Sequence, residues 1–165
     1  MRRVCARLAS TLAIAAATLA TAFAENAALP PESLAFPPPA RPIARIVSSI
    51  WHSEAERDAA KEVHQVVRWL GIEAGTIVAD IGAGSGYYTV RLSPIVGPSG
   101  LVIAEDVTPD YVRALEAKVA ALHLANVVVS RGDAGNPRLL PQSVDRALLV
   151  HMYHEVAEPF ALLYN

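Results

Sequence analysis

Three glycines at alternate positions follow an acid at the end of an apolar run. The stretch TIVADIGAGSGYYTV, residues 76–90, contains Asp80, Gly82, Gly84 and Gly86. Glycine lets the backbone approach a ligand closely, and the start of a helix offers free N–H groups. An acid at the end of the strand suits a positively charged group better than a pyrophosphate, which it would repel. The spacing therefore predicts a binding loop for a nucleotide-like ligand that carries a cation.

The surrounding chain alternates between strand and helix patterns, which predicts an α/β fold. Nearly continuous Val, Ile and Leu runs favour a Rossmann-like parallel sheet with helices on both faces. A Ser53–Glu56 capping box and Gly71 mark the ends of one expected helix. Strands are expected at 76–81, 100–106, 126–133 and 144–152, and helices at 53–70, 86–96, 108–124 and from about Glu158.

A dinucleotide-binding loop is the first alternative for the glycine run. Its G-x-G-x-x-G pattern would need a small residue at position 87, where this chain has Tyr87. Asp80 also argues against a pyrophosphate. A nicotinamide-dependent oxidoreductase is therefore disfavoured.

The observed pattern, D-x-G-x-G-x-G, resembles motif I of the class I S-adenosylmethionine-dependent methyltransferases. The resemblance implies S-adenosylmethionine as the cofactor and Asp80, Gly82, Gly84 and Gly86 as residues that bind it. It is closest, from about Trp51 onward, to a group of exported bacterial methyltransferases of undefined substrate.

Two further segments resemble the same class, in the expected order. IAEDVTP ends the second strand, and the resemblance implies that Asp106, with Glu105 as the fallback, accepts from the ribose hydroxyls. A capping role for Asp106 is the alternative. SRGDA follows the third strand and implies that Asp133 and Ala134 contact the adenine; Asp133 could instead be an ordinary loop residue.

The segment SVDRALLVHMYHE resembles motif IV, which faces the substrate in this class. His154 is the predicted base or substrate contact, and packing of the loop is the alternative. His151 and His154 could form a metal pair, but no third ligand has a recognisable spacing, so no metal site is predicted. Tyr87 and Tyr88 could border the cofactor or pack the helix.

The N-terminus differs in composition from the rest of the chain. Residues 1–24 have three arginines, an Ala-rich apolar stretch and an Ala-Phe-Ala end, which predicts a cleaved signal peptide and export to the periplasm. An uncleaved anchor is the alternative. The only cysteine, Cys5, lies in this segment. Residues 25–50 predict a Pro-rich extended arm, and residues 51–165 the methyltransferase domain.

Charge and strand count limit the function further. Removing Arg2, Arg3 and Arg7 from the 14 basic residues leaves 11 against 16 acids, a net charge of −5. No basic surface for nucleic acid is expected, so a small-molecule acceptor is preferred. No stable membrane insertion is expected after cleavage of the signal peptide.

The class has seven strands ordered 3-2-1-4-5-7-6, and four are recognised here. The sequence is therefore expected to be part of a longer protein, and a non-catalytic cofactor-binding module is the other alternative.

Overall fold

A computed structural model describes residues 36–45 and 53–165 of the 165-residue chain. The predicted signal peptide, residues 1–24, lies outside the described residues. So do residues 25–35 and 46–50 of the predicted arm and the first two residues of the predicted domain.

The centre of the structure is a four-stranded parallel sheet, as the apolar runs predict. Its strands are β1 (Ile77–Ile81), β2 (Leu101–Asp106), β3 (Val127–Arg131) and β4 (Arg146–Leu148). They lie in the order β3-β2-β1-β4, which is the order expected for the first four strands. β1 pairs with both β2 and β4, so the carboxyl end of β1 lies in the middle of the described sheet.

Five α-helices accompany the sheet within the described residues, besides a short 3-10 helix at Tyr153–Glu155. They are α1 (Glu54–Ala59), α2 (Glu62–Leu70), α3 (Tyr87–Val96), α4 (Pro109–Ala121) and α5 (Pro159–Tyr164). Apolar residues of α2, α3 and α4 pack with Val78, Val102 and Val127 on one face of the sheet. Leu162 of α5 packs with Ala79 and Ile81 on the other face. The prediction of helices on both faces is confirmed.

The single helix predicted at 53–70 is wrong, because the chain breaks between α1 and α2. Ser53 caps α1 as expected, accepting a hydrogen bond from the Glu56 N–H at 3.1 Å. Lys61 then adopts a left-handed backbone with φ 55°. Lysine is a good helix former, so local propensity does not cause the break. Long-range contacts on either side of Lys61 cause the break instead. Asp58 accepts a hydrogen bond from the Tyr87 hydroxyl, and Glu62 accepts one from the Tyr88 hydroxyl, both in α3.

The predicted fourth strand, 144–152, is longer than the observed β4. Asp145 and Ile77 exchange two hydrogen bonds of 2.8 Å at its start, but pairing with β1 ends at Leu148. His151 then has φ 58°, a left-handed conformation that cannot continue a strand. The chain leaves the sheet there and forms a loop at the carboxyl end of β1.

The described part of the arm, 36–45, contains no helix or strand and packs against the domain. Arg41 donates to the carbonyl oxygens of Tyr153, His154 and Val156 at 2.6, 2.9 and 3.3 Å. The rings of Phe36 and Tyr164 lie 5.2 Å apart. Across 36–45 and 53–165, no helix has the length and apolar character required to cross a bilayer.

Candidate active site

A cavity of about 600 Å³ opens at the carboxyl ends of β1, β2 and β4. The chain order reverses between β1 and β4, and open α/β sheets bind ligands at such a point. The volume lies in the range of small-molecule sites. The walls contain seven of the eight residues predicted from sequence: Asp80, Gly82, Gly84, Asp106, Asp133, Ala134 and His154.

The glycine loop between β1 and α3 forms one wall of this cavity. Gly82, Gly84 and Gly86 all have positive φ, from 54° to 80°. A Cβ on Gly84 would meet no atom within 4 Å, so its backbone faces open space. A Cβ on Gly86 would lie 2.7 Å from Leu115 Cδ1, so this glycine allows α4 to pack closely. Gly86 is the one predicted site residue that does not line the cavity, and its cofactor role stays a prediction.

Asp106 is the last residue of β2 and is hydrogen-bonded to the glycine loop that follows β1. Its Oδ2 accepts from the Gly84 N–H at 2.9 Å, and its Oδ1 accepts from the Thr108 N–H at 2.8 Å. The residue is 6% exposed. Each carboxylate oxygen has a second lone pair, so both can also accept from hydroxyl groups in the cavity. The capping alternative is not observed, because the N-terminal cap of α4 is Thr108 and Asp106 accepts from the N–H of that cap residue, not from an N–H inside the helix.

Asp80 lies at the end of β1, under the glycine loop. Burial raises its pKa to about 6, although a hydrogen bond from the Thr89 hydroxyl at 2.7 Å favours the ionised form. A cation in the cavity would compensate this buried charge, which is the chemistry predicted from the motif.

Glu105, the fallback for the ribose contact, is a second buried acid in the cavity wall. The residue is 2% exposed, and its Oε2 accepts a long, 3.4 Å hydrogen bond from the Gly82 N–H. Burial raises its pKa to about 7, and the charge of Asp106 acts in the same direction. Its Oε1 has no hydrogen-bond partner among the described residues, and a Cβ on Gly132 would lie 2.0 Å from it, so only a glycine leaves room for this carboxylate. Glu105 therefore lies against both the glycine loop and the turn after β3.

The turn after β3 holds the predicted adenine contacts. Asp133 and Asn136 exchange backbone hydrogen bonds of 2.7 and 3.1 Å, which fix Ala134 at the apex. The Asp133 carboxylate pairs with Arg138 at 2.7 Å. An adenine amino group would therefore share this carboxylate with Arg138.

The loop after β4 brings two histidines to the cavity. His154 has a half-exposed side chain, 3.7 Å from Glu155. His151 Nε2 lies 3.0 Å from Glu62 Oε2, a carboxylate that also accepts from the Tyr88 hydroxyl at 2.7 Å. Within the described ranges, no three His, Cys, Asp or Glu side chains are grouped so as to hold a metal ion.

Arg57 is a residue of the cavity wall that sequence analysis did not select. It comes from α1, 23 positions before Asp80, and binds Glu62. It stands between two acids in an amphipathic pattern, so nothing in the sequence distinguishes it from a surface arginine. Only the break between α1 and α2, which the sequence did not predict, turns α1 toward the site.

A family model for protein-L-isoaspartate(D-aspartate) O-methyltransferase (PCMT) matches residues 48–141, more than half of the chain. The chain belongs to the PCMT family. The resemblance to class I S-adenosylmethionine-dependent methyltransferases is thereby confirmed. The matched residues include both strand-end acids and the turn after β3, but they end before β4.

Individual relatives of this PCMT-family chain differ in their named substrates. It is 31% identical over 80 residues to the protein-L-isoaspartate O-methyltransferase of Thermotoga maritima, covering 47% of this chain and 25% of the relative. It is 37% identical over 67 residues to the tRNA (adenine(57)-N(1)/adenine(58)-N(1))-methyltransferase TrmI of Methanocaldococcus jannaschii, covering 41% and 22%. The matches thus span about a quarter of these curated relatives.

A solved structure agrees with the fold. The crystal structure of a SAM-dependent methyltransferase from Aquifex aeolicus aligns with a TM-score of 0.57 and 27% identity, covering 69% of this chain and 65% of that chain. The PCMT-family chain therefore has a methyltransferase fold around the cavity described above.

Proposed function

We propose that this protein binds S-adenosylmethionine in the cavity and transfers its methyl group to an acceptor, with a small molecule preferred. The supporting observation is Asp106, a buried acid on the cavity wall tied to Gly84 and Thr108. Its carboxylate is held in place and can still accept from two adjacent hydroxyls, as a ribose provides.

The other residues fit the same cofactor. The open space over Gly84 admits a ligand against the backbone. Asp80 provides a negative charge for a cationic group, and the turn at Ala134 offers backbone for an adenine. Bound S-adenosylmethionine would supply a methyl group on a positively charged sulfur, which keeps the bonding electron pair when the methyl group leaves.

The chain's own contribution to transfer would be alignment and, for a protonated acceptor, a base. The loop after β4 is proposed to contact the acceptor, with His154 accepting the proton. This loop lies outside the residues matched by the family model, so the isoaspartyl substrate of the family is not carried over with the match.

The first test is calorimetric titration of the chain with S-adenosylhomocysteine, with NAD as the control ligand. We expect micromolar binding that Asp106→Ala weakens at least tenfold, with no comparable NAD binding. Asp110→Ala is the matched control, since Asp110 is an exposed acid of α4 outside the cavity. Preferential NAD binding would instead support an oxidoreductase.

Turnover is tested separately, by transfer of a radiolabelled methyl group to candidate small molecules and to an isoaspartyl peptide. Transfer that is reduced in His154→Ala supports the proposed base. Cofactor binding without transfer to any acceptor would favour the non-catalytic module.

A further inference from the structure

Arg57 is held rigidly in the cavity wall. Its guanidinium carbon lies 3.9 Å from the ring centre of Tyr87 and 4.9 Å from that of Tyr88. Its Nε and Nη2 donate to Glu62 Oε1 at 2.9 and 2.5 Å. The side chain is 13% exposed. Stacking and ion pairing together fix the plane of the guanidinium group before any ligand binds.

Arg57 also lines the cavity, and its hydrogen bonds to Glu62 use Nε and Nη2, so Nη1 is not engaged by that carboxylate. The charge of Arg57 also acts on Asp80, whose pKa it lowers against the effect of burial. The positively charged guanidinium of Arg57 and the buried carboxylate of Asp80 therefore affect the same part of the cavity.

This pairing of charges matches an amino-acid zwitterion. The methionine end of the proposed cofactor has an ammonium and a carboxylate on one carbon. An arginine that faced only the cationic sulfonium and ammonium would oppose binding. A carboxylate on the ligand would instead be attracted to the arginine, and hydrogen bonds between guanidinium and carboxylate groups are among the strong charge-assisted ones.

We propose that Arg57 binds the α-carboxylate of the cofactor's methionine end, beside the ammonium that Asp80 attracts. The inference rests on the proposed function and adds to it a residue from α1, outside the sequence motifs. A purely structural role, in which Arg57 only pairs with Glu62, predicts that its loss affects all adenosine ligands alike.

The experiment is calorimetry of the wild-type chain and Arg57→Met with three ligands. S-adenosylhomocysteine has the carboxylate, decarboxylated S-adenosylhomocysteine keeps only the ammonium, and methylthioadenosine lacks both. We expect Arg57→Met to weaken S-adenosylhomocysteine at least tenfold and to change the other two less than twofold. Equal losses for all three, or no loss for S-adenosylhomocysteine, would overturn the inference.

Arg91→Met is the matched control. Arg91 stacks on the same ring, 3.8 Å from the centre of Tyr87, and pairs with Asp58, but it does not line the cavity. We expect it to leave the ratio of the three affinities unchanged. The same change in ratio for Arg91→Met would argue against a specific role of Arg57.

Wild-type affinities provide a test that needs no folded variant. The wild-type chain should prefer S-adenosylhomocysteine to its decarboxylated analogue at least tenfold, and a ratio near one would overturn the inference. If the wild type binds adenosine ligands without this preference, only the Arg57 inference fails. If it binds none of them, the proposed function fails, and the Arg57 inference fails with it.

Discussion

The Thr89 hydroxyl donates a 2.7 Å hydrogen bond to Oδ2 of Asp80, and both residues are almost completely buried. The bond connects the first turn of α3 to the end of β1, across the glycine loop. It stabilises the carboxylate against the burial that raises its pKa to about 6. The position of the loop and the charge of Asp80 therefore depend on each other.

Thr89→Val should destabilise the protein more at pH 8 than at pH 5. At pH 8 Asp80 is ionised, and a buried carboxylate that loses its donor costs about 1.5–3 kcal/mol. At pH 5 the acid is mostly protonated, and the loss is that of a neutral bond, about 1 kcal/mol. Urea unfolding at the two pH values measures the difference.

Thr76→Val is the control for that comparison. The Thr76 hydroxyl oxygen accepts from the Glu73 N–H at 3.0 Å, a bond between neutral groups. The loss of unfolding free energy caused by Thr76→Val should be the same at both pH values. An equal cost of Thr89→Val at pH 5 and pH 8 would show that Asp80 does not titrate between them.

Replacing Glu105 by Gln should stabilise the protein relative to wild type as the pH rises. The folded-state pKa of Glu105, about 7, lies above its ordinary value of 4.5. The protonated acid thus contributes stability that is fully present below pH 4.5 and is lost as the pH rises through 7. Between pH 4.5 and 7, the difference in unfolding free energy between Glu105→Gln and wild type should change by up to about 1.4 kcal/mol per pH unit.

Urea unfolding of wild type and Glu105→Gln from pH 4 to pH 8 measures this change. Glu116→Gln, on the exposed face of α4, is the control and should follow the wild type throughout. A constant difference between wild type and Glu105→Gln over this range would contradict the raised pKa.

Alanine at Gly84 and at Gly86 should have different consequences. Both positions have positive φ, so each substitution costs roughly 1–2 kcal/mol. At Gly86 the new Cβ also collides with Leu115, so thermal unfolding should show the larger loss of stability there. At Gly84 the Cβ enters the open cavity, so affinity for S-adenosylhomocysteine should fall at least tenfold. The reverse assignment of the two effects would contradict the described loop.

Arg41→Ala should loosen the turn at 153–156 with little change in global stability. The substitution removes the three hydrogen bonds to carbonyl oxygens of this turn and the contact with the Tyr153 ring at 5.1 Å. Hydrogen exchange of the Glu155 and Val156 amides should become faster, because these N–H groups close the turn. Arg113→Ala, which removes an exposed ion pair of α4, should leave the exchange of both amides unchanged.

The sheet and most of the candidate site could be predicted from the sequence because the relevant signals are local. Apolar runs identify the four strands, and the carboxyl ends of parallel strands meet at one edge. Asp80, Asp106 and Asp133 therefore had to lie near one another once the alternation was recognised. Glu105 was identifiable for the same reason, as an acid in a strand buried on both faces.

Sequence alone did not reveal how distant segments surround that edge. The break at Lys61, the turn at His151 and the docking of Arg41 depend on contacts between residues far apart in the chain. Residues 60 and 61 are good helix formers, so no local signal predicts the break.

The sequence by itself determined the alternation of strands and helices, the glycine loop and the acids at the strand ends. Each follows from periodicity or from a short motif, whereas the order of the strands in the sheet was expected from the resemblance to the methyltransferase class. Only the tertiary structure decided that Gly86 packs on Leu115, that Glu105 lies beneath two loops and that Arg57 reaches the cavity. These features depend on which surfaces pack together. Packing and ion pairs between distant residues determine that, and short stretches of sequence do not encode it.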